Sequence, residues 1–164
     1  KACVEMGKVK TGALIVVERK ESLKDYERTG IEVDGLVTSQ LLINIFEHNT
    51  PLHDGAVIVR GNRVTFATCY LPLSDNLGLS KELGTRHRAG VGVSETTDSM
   101  TLIVSEETGG ISMAYEGELR RHLSAEELRE RMRQIMDLNG EEDEKGAHKR
   151  RGKNRAKSEK KDTE

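Results

Sequence analysis

His53 and Asp54 stand side by side, followed by Gly55, Ala56 and the apolar run Val57, Ile58 and Val59. An aspartate at the mouth of a strand can hold a divalent ion or align a hydroxyl, and an adjacent imidazole can be a second ligand. Gly55 and Ala56 carry almost no side chain, so a phosphate or sugar can come close to the backbone. Asp-Gly is also ordinary turn chemistry, and a plain loop before a strand accounts for the same four residues.

A second group of this kind is Gly84-Thr85-Arg86-His87-Arg88. Thr85 is expected to cap a helix, which gathers backbone N–H groups and the positive end of the helix dipole at one point. Such a terminus binds anions, and two arginines in the first turn add forked donors for phosphate oxygens. Cations at a helix N-terminus are unfavourable by about 0.3–1 kcal/mol unless an anion compensates, so their presence is informative. A solvated basic turn is the alternative.

Third comes Ser105-Glu106-Glu107-Thr108-Gly109-Gly110, at the end of an apolar stretch. A carboxylate there can reach a metal or a ribose hydroxyl, although Glu-Thr-Gly-Gly also describes a routine exposed turn. Tyr70 and Leu71 stand where a strand runs out; a rim tyrosine is the default, a flat wall for a nucleobase the sharper reading. There is no Walker pattern, dinucleotide glycine fingerprint, HExxH or nucleophile elbow. The Phe and Tyr residues number five in all, too few for an aromatic platform that tracks single-stranded nucleic acid.

Composition narrows the classes further. The net charge of −2 is uneven, because the stretch from Gly140 is rich in lysine and arginine and the remainder is mildly acidic. An acidic body argues against a nucleic-acid-coating surface. Cys3 and Cys69 are too few for a disulfide framework or a four-cysteine zinc site and read as structural thiols of a reducing compartment. The longest apolar runs, such as 13–17, are too short to span a bilayer. The chain opens on Lys1 rather than Met, from which a fragment of a longer protein is expected.

The elements that must position these groups follow from periodicity. "GALIVVE" (12–18) reads as a buried strand, 22–30 as a short helix or turn, and "EVDGLV" (32–37) as a second strand. Ser39 is expected to cap a helix whose Leu41, Leu42, Ile45 and Phe46 form one apolar face. Two β-rich runs flank Gly61-Asn62, a hairpin turn. Residues 72–84 read as loop. A helix starts at Thr85, and Gly90 and Gly92 are expected to loosen it. "SMTLIVSE" is a strand, 110–119 holds one or two short strands, and Ser124 caps a final helix. The expectation is an α/β (α+β) fold: a single globular domain with a mixed, mostly antiparallel central sheet flanked by helices. Residues 140–164 contain no large apolar side chain and are expected to form a charged, disordered tail, with touching a lipid surface or RNA as a lesser reading.

"HDGAVIV" (53–59), "CYLPLSDN" (69–76), "KELGTRHRA" (81–89) and "VSEETGG" (104–110), in this order, resemble the diadenylate cyclase catalytic domain, and in particular its membrane-anchored bacterial CdaA type. The resemblance runs from about Gly12 to Leu123. It implies a connecting helix over 1–11 after an upstream membrane region, a catalytic domain over 12–139, and a location at the cytoplasmic face of the bacterial membrane, the present fragment being soluble. It further implies joining of two ATP molecules into cyclic di-AMP with release of two pyrophosphates, using Mn²⁺, Mg²⁺ or Co²⁺. By carry-over, Asp54 helps to activate the ribose 3′-hydroxyl and works with the metal, with His53 and Glu107 as further ligands. Gly55 and Ala56 let the nucleotide approach, and Tyr70 and Leu71 lie along the adenine. Gly84, Thr85, Arg86, His87 and Arg88 hold the phosphates, and Ser105 and Glu107 face the triphosphate.

One such site holds one ATP, so a transient homodimer must bring two of them face to face. The resemblance also raises a membrane-bound regulator and phosphoglucosamine mutase as partners, with no nucleic acid expected. Two other classes fit parts of the sequence. A catalytically silent nucleotide-binding or sensor module would keep the arginines and lose competent metal geometry. A metal phosphohydrolase would need further His and Asp ligands around His53-Asp54, and only His48 is near in sequence.

Overall fold

The structure, a computed structural model, describes residues 1–136, so the stretch 140–164 expected to be a tail lies outside the described residues. Lys1–Ala125 form one compact unit and Glu126 opens a second. The helix expected after Ser124 is present over 125–136. No helix among the described residues is long and apolar enough to cross a membrane.

The first unit is built on one seven-stranded sheet. Its strands are β1 (Ala13–Val17), β2 (Ile31–Leu36), β3 (Ala56–Arg60), β4 (Arg63–Cys69), β5 (Met100–Val104), β6 (Ile111–Tyr115) and β7 (Glu118–Arg120). They lie in the order β2-β4-β3-β1-β5-β6-β7. Only β1 and β3 pair in parallel, while the remaining neighbours are antiparallel, which is the mixed, mostly antiparallel sheet expected.

Burial explains which runs became central. β1 (ALIVV) and β5 (MTLIV) are apolar but for Thr101, without alternation, and almost wholly buried, as a strand covered on both faces must be. β2 sits at the sheet edge with half-exposed Ile31 and Leu36, and its register shifts between Glu32 and Gly35. The hairpin β3–β4 turns at Gly61-Asn62 as expected. One core lies under the helix α4 (Thr85–Thr96), where Leu14, Val16, Ile58, Val91, Val93 and Ile103 pack together. The helices α1 (Ala2–Lys8) and α3 (Ser39–Phe46) pack on each other, burying Met6, Ile45 and Phe46. A short α2 (Lys24–Glu27) lies in the crossover from β1 to β3.

The cap of α3 falls one residue earlier than expected. Thr38, not Ser39, has the extended backbone a cap needs, and its hydroxyl accepts from the Leu41 N–H at 3.0 Å. Ser39 is already the first helical residue.

Candidate functional site

α4 brings the basic residues to the sheet. Its cap is Gly84, with no side-chain hydrogen bond, whereas Thr85 is the first helical residue. The expected threonine cap is therefore replaced by an extended glycine whose carbonyl accepts from the Arg88 N–H at 3.2 Å. Gly90 and Gly92 do not loosen the helix, which runs unbroken for 12 residues. They let it sit close: a Cβ on Gly90 would lie 2.9 Å from Ile103, and one on Gly92 only 2.0 Å from the Pro72 carbonyl oxygen. Tertiary approach outweighs the propensity cost of about 1 kcal/mol per glycine.

A cavity of about 320 Å³ opens between α4, the start of β3 and the end of β4. Leu14, Tyr70 and Leu71 give it an apolar wall, while Asp54, Thr85 and Arg86 give it a polar one. Asp54 and Arg86, remote in sequence, thus face one space. The Asp54 side chain accepts from the Gly55 N–H at 3.1 Å and is otherwise exposed. Tyr70 is 69% exposed, a free face rather than a core ring. Such a slot suits a flat apolar group at one end and an anion at the other.

Gly55 lines this cavity, but its lack of a side chain has a nearer cause. Its φ is +81°, and a Cβ would lie 2.9 Å from the carbonyl carbon of Thr68. The β4 backbone, then, requires glycine there. Ala56 is fully buried as the first residue of β3 and does not border the cavity.

Arg86 is the hub of the site. Its Nη1 donates to Glu106 Oε1 at 2.7 Å, and the pair lies across Gly12, where a Cβ would come within 2.9 Å of the guanidinium carbon. Its Nε is buried with no hydrogen-bond partner among the described residues. It also borders two further cavities. One, of about 110 Å³, takes in Gly84, His87, Ser105 and Glu107. The other, of about 630 Å³, takes in Lys10, His48, His53 and Glu106. Ser105 organises its turn, with its Oγ accepting from the N–H groups of Glu107 and Thr108, each at 3.2 Å.

The remaining expected residues are placed unequally. His87 is buried with Nε2 3.4 Å from the Ser112 hydroxyl, and burial, aided by the charge of Arg121, pushes its pKa down, favouring a neutral ring. Arg88 borders none of these three cavities; its Nη2 donates to the Ser80 carbonyl at 3.4 Å. His53 places Nδ1 2.6 Å from the Thr50 carbonyl oxygen and donates there, which leaves Nε2 as the ring nitrogen not engaged by Thr50. Its ring meets His48 edge-on with centroids 5.6 Å apart. Glu106 was not singled out in the sequence, although its signal was present as the acid preceding Glu107.

His53, Asp54 and Glu107 open onto different cavities. Among the described residues no three His, Cys, Asp or Glu side chains gather where they could hold a metal ion together. Asp54 and Glu107 each still offer a hard carboxylate and His53 a borderline imidazole nitrogen, which suits an ion that takes most of its ligands from phosphate and water.

The comparisons with known proteins agree with this architecture. The chain is 58% identical over 130 residues to the cyclic di-AMP synthase CdaA of Bacillus subtilis strain 168. That match covers 79% of this chain and 48% of the relative, so the chain spans about half the length of the relative. The crystal structure of DacA from Staphylococcus aureus superposes with a TM-score of 0.80 at 50% identity, covering 82% of this chain and 89% of that one. A hypothetical membrane spanning protein from Bacillus cereus superposes with a TM-score of 0.73 at 45% identity, covering 75% and 60%. The family model described as DisA bacterial checkpoint controller nucleotide-binding matches residues 1–119. With the model spanning most of the sheet and the side chains of Asp54, Arg86 and Glu106, the chain belongs to that family of nucleotide-binding domains.

Proposed function

We propose that this chain is the catalytic part of a diadenylate cyclase, which condenses two ATP molecules into cyclic di-AMP and two pyrophosphates. The observation that carries the reading is the shared cavity of Asp54 and Arg86, with an apolar wall for adenine beside it. The relative named cyclic di-AMP synthase supports it.

In this reading the adenine lies against Tyr70, Leu71 and Leu14, and the α-phosphate meets Arg86 and the first turn of α4. The 3′-oxygen of one nucleotide attacks the α-phosphorus of the other, a new P–O bond forms, and the bond to pyrophosphate breaks. Asp54 takes the hydroxyl proton or orients it toward solvent. Arg86, held in place by Glu106, neutralises charge on the transferred phosphoryl group. Asp54 is the residue of the nucleotide cavity that would hold a divalent ion, while His53 and Glu107 face the other two cavities and would each give an ion there a single ligand. Such an ion, when bound, supplies Lewis-acid stabilisation of the phosphate oxygens.

A cavity of about 320 Å³ has room for one nucleoside, so two chains must face each other to close the cyclic product. Being part of a longer membrane-anchored protein would raise the local concentration of such faces. The membrane spanning neighbour supports attachment to a membrane, and the resemblance implies its cytoplasmic side.

Incubation with ATP and Mn²⁺ across a range of chain concentrations, with products separated by chromatography, tests the proposal. Cyclic di-AMP should form at a rate per chain that climbs with concentration. ATP binding without product would instead assign a silent nucleotide-binding module.

A further inference from the structure

The smallest of the three cavities extends beyond Arg86 to side chains the nucleotide reading leaves unused. β7 ends at Arg120, and the chain then turns at His122, whose φ of 56° is unusual for any residue but glycine. The Leu123 N–H donates to the Ile111 carbonyl at 2.9 Å and fixes this turn against the start of β6. Arg121 and His122 are thereby delivered to the cavity, across from Gly84, Arg86 and His87. Among the described residues Arg121 makes no hydrogen bond or ion pair. The hydroxyl-bearing Ser105, Thr108 and Ser112 border the same space.

This pattern is that of an anion site. α4 contributes the positive end of its dipole, Arg121 a guanidinium without a partner, and the hydroxyls neutral donors. Glu106 is already engaged by Arg86, while Glu82 and Glu107 also border the cavity. Those two carboxylates would repel a bare polyanion and accept one carried with a divalent cation. Arg86 borders both this cavity and the Asp54 cavity, so one guanidinium can serve an anion here and a phosphate there.

We propose that Arg121 and His122 form a pyrophosphate-binding wall, holding the β- and γ-phosphates of the nucleotide before and after they leave. The inference rests on the nucleotide reading above and assigns two positioning residues that it did not contain. Because both side chains are exposed, their replacement leaves the core untouched.

Calorimetric titration of wild type, Arg121→Gln and His122→Gln with magnesium pyrophosphate, ATP and AMP tests it. Pyrophosphate and ATP affinities should each fall about tenfold or more in Arg121→Gln, as expected for one lost charged hydrogen bond. His122→Gln should lose less, and AMP affinity should stay within about twofold throughout, as expected for surface side chains outside the nucleoside slot. Unchanged pyrophosphate affinity in both variants, or no pyrophosphate binding by wild type, overturns the proposal. So does loss of pyrophosphate binding with ATP affinity intact, which would make this an anion site separate from the nucleotide. Pyrophosphate binding by a wild type that binds no AMP would instead sink the nucleotide reading.

Discussion

Arg86 and Glu106 are joined by a 2.7 Å ion pair laid over the bare Cα of Gly12, and Arg86 borders all three cavities. Glu106 satisfies one edge of the guanidinium and leaves the Nε edge without a partner among the described residues. The ion pair sets the direction of the guanidinium, so a phosphate in the Asp54 cavity meets a charged group already held in place.

Arg86→Ala should therefore weaken ATP binding by about ten- to a hundredfold, the range for a lost hydrogen bond to a charged group. Arg88→Ala should weaken it far less, since that side chain is turned to the Ser80 carbonyl. Equilibrium binding of a fluorescent ATP analogue to both variants checks the contrast. Equal losses would return Arg88 to the phosphate site.

Asp54→Asn should lower the rate of cyclic di-AMP formation by about a hundredfold or more, as for loss of a general base. The exposed carboxylate supports no core contact, so the variant should fold and still bind ATP. Product quantification beside a binding titration separates the two effects.

Gly55→Ala should destabilise the fold by about 1–3 kcal/mol, through a left-handed backbone and a methyl group driven into Thr68. A chemical denaturation midpoint below wild type would show it. An unchanged midpoint with lost nucleotide affinity would instead mean that glycine serves the ligand.

Acid should weaken the fold through Glu18. Burial pushes this carboxyl up, but hydrogen bonds from Arg60 and the Leu23 N–H outweigh that and hold its pKa below the ordinary value. A pKa lower in the folded than in the unfolded chain contributes stability above the unfolded value, lost as pH falls through the folded one. Stability should thus decline as pH drops below the ordinary carboxylate range. Arg60 also bridges to Glu27, which is buried. Arg60→Ala should cost toward the lower end of about 3–5 kcal/mol, because Arg60 remains partly solvated. Denaturation at several pH values for both proteins checks each point.

Much of this was legible in the sequence because short apolar runs bounded by turns leave few choices. The buried β1 and β5 and the Gly61-Asn62 hairpin follow from side-chain pattern alone. What escaped was set by contacts remote in sequence. Nothing local in Gly90-Val91-Gly92 reveals that Pro72 and Ile103 press against that helix. The smallness of Gly55 reads as room for a ligand until Thr68 is seen behind it. Likewise the two arginines of Arg86-His87-Arg88 look equivalent, yet the helix directs one to the cavity and the other to the 72–84 loop. Which acid of Glu106-Glu107 would meet Arg86 depended on how β5 ends beside α4.

The tight seat of α4 bears on how a ligand is received. Pro72 touches Gly92, the Ser74 N–H donates to the Arg88 carbonyl at 3.0 Å, and the Ser74 hydroxyl donates to Glu95 at 2.6 Å. Loop and helix are stapled at both ends of the same stretch, so the cationic end is a finished mould. Docking into it forfeits little chain entropy, and the binding energy of the phosphates goes to holding the reacting atoms in line.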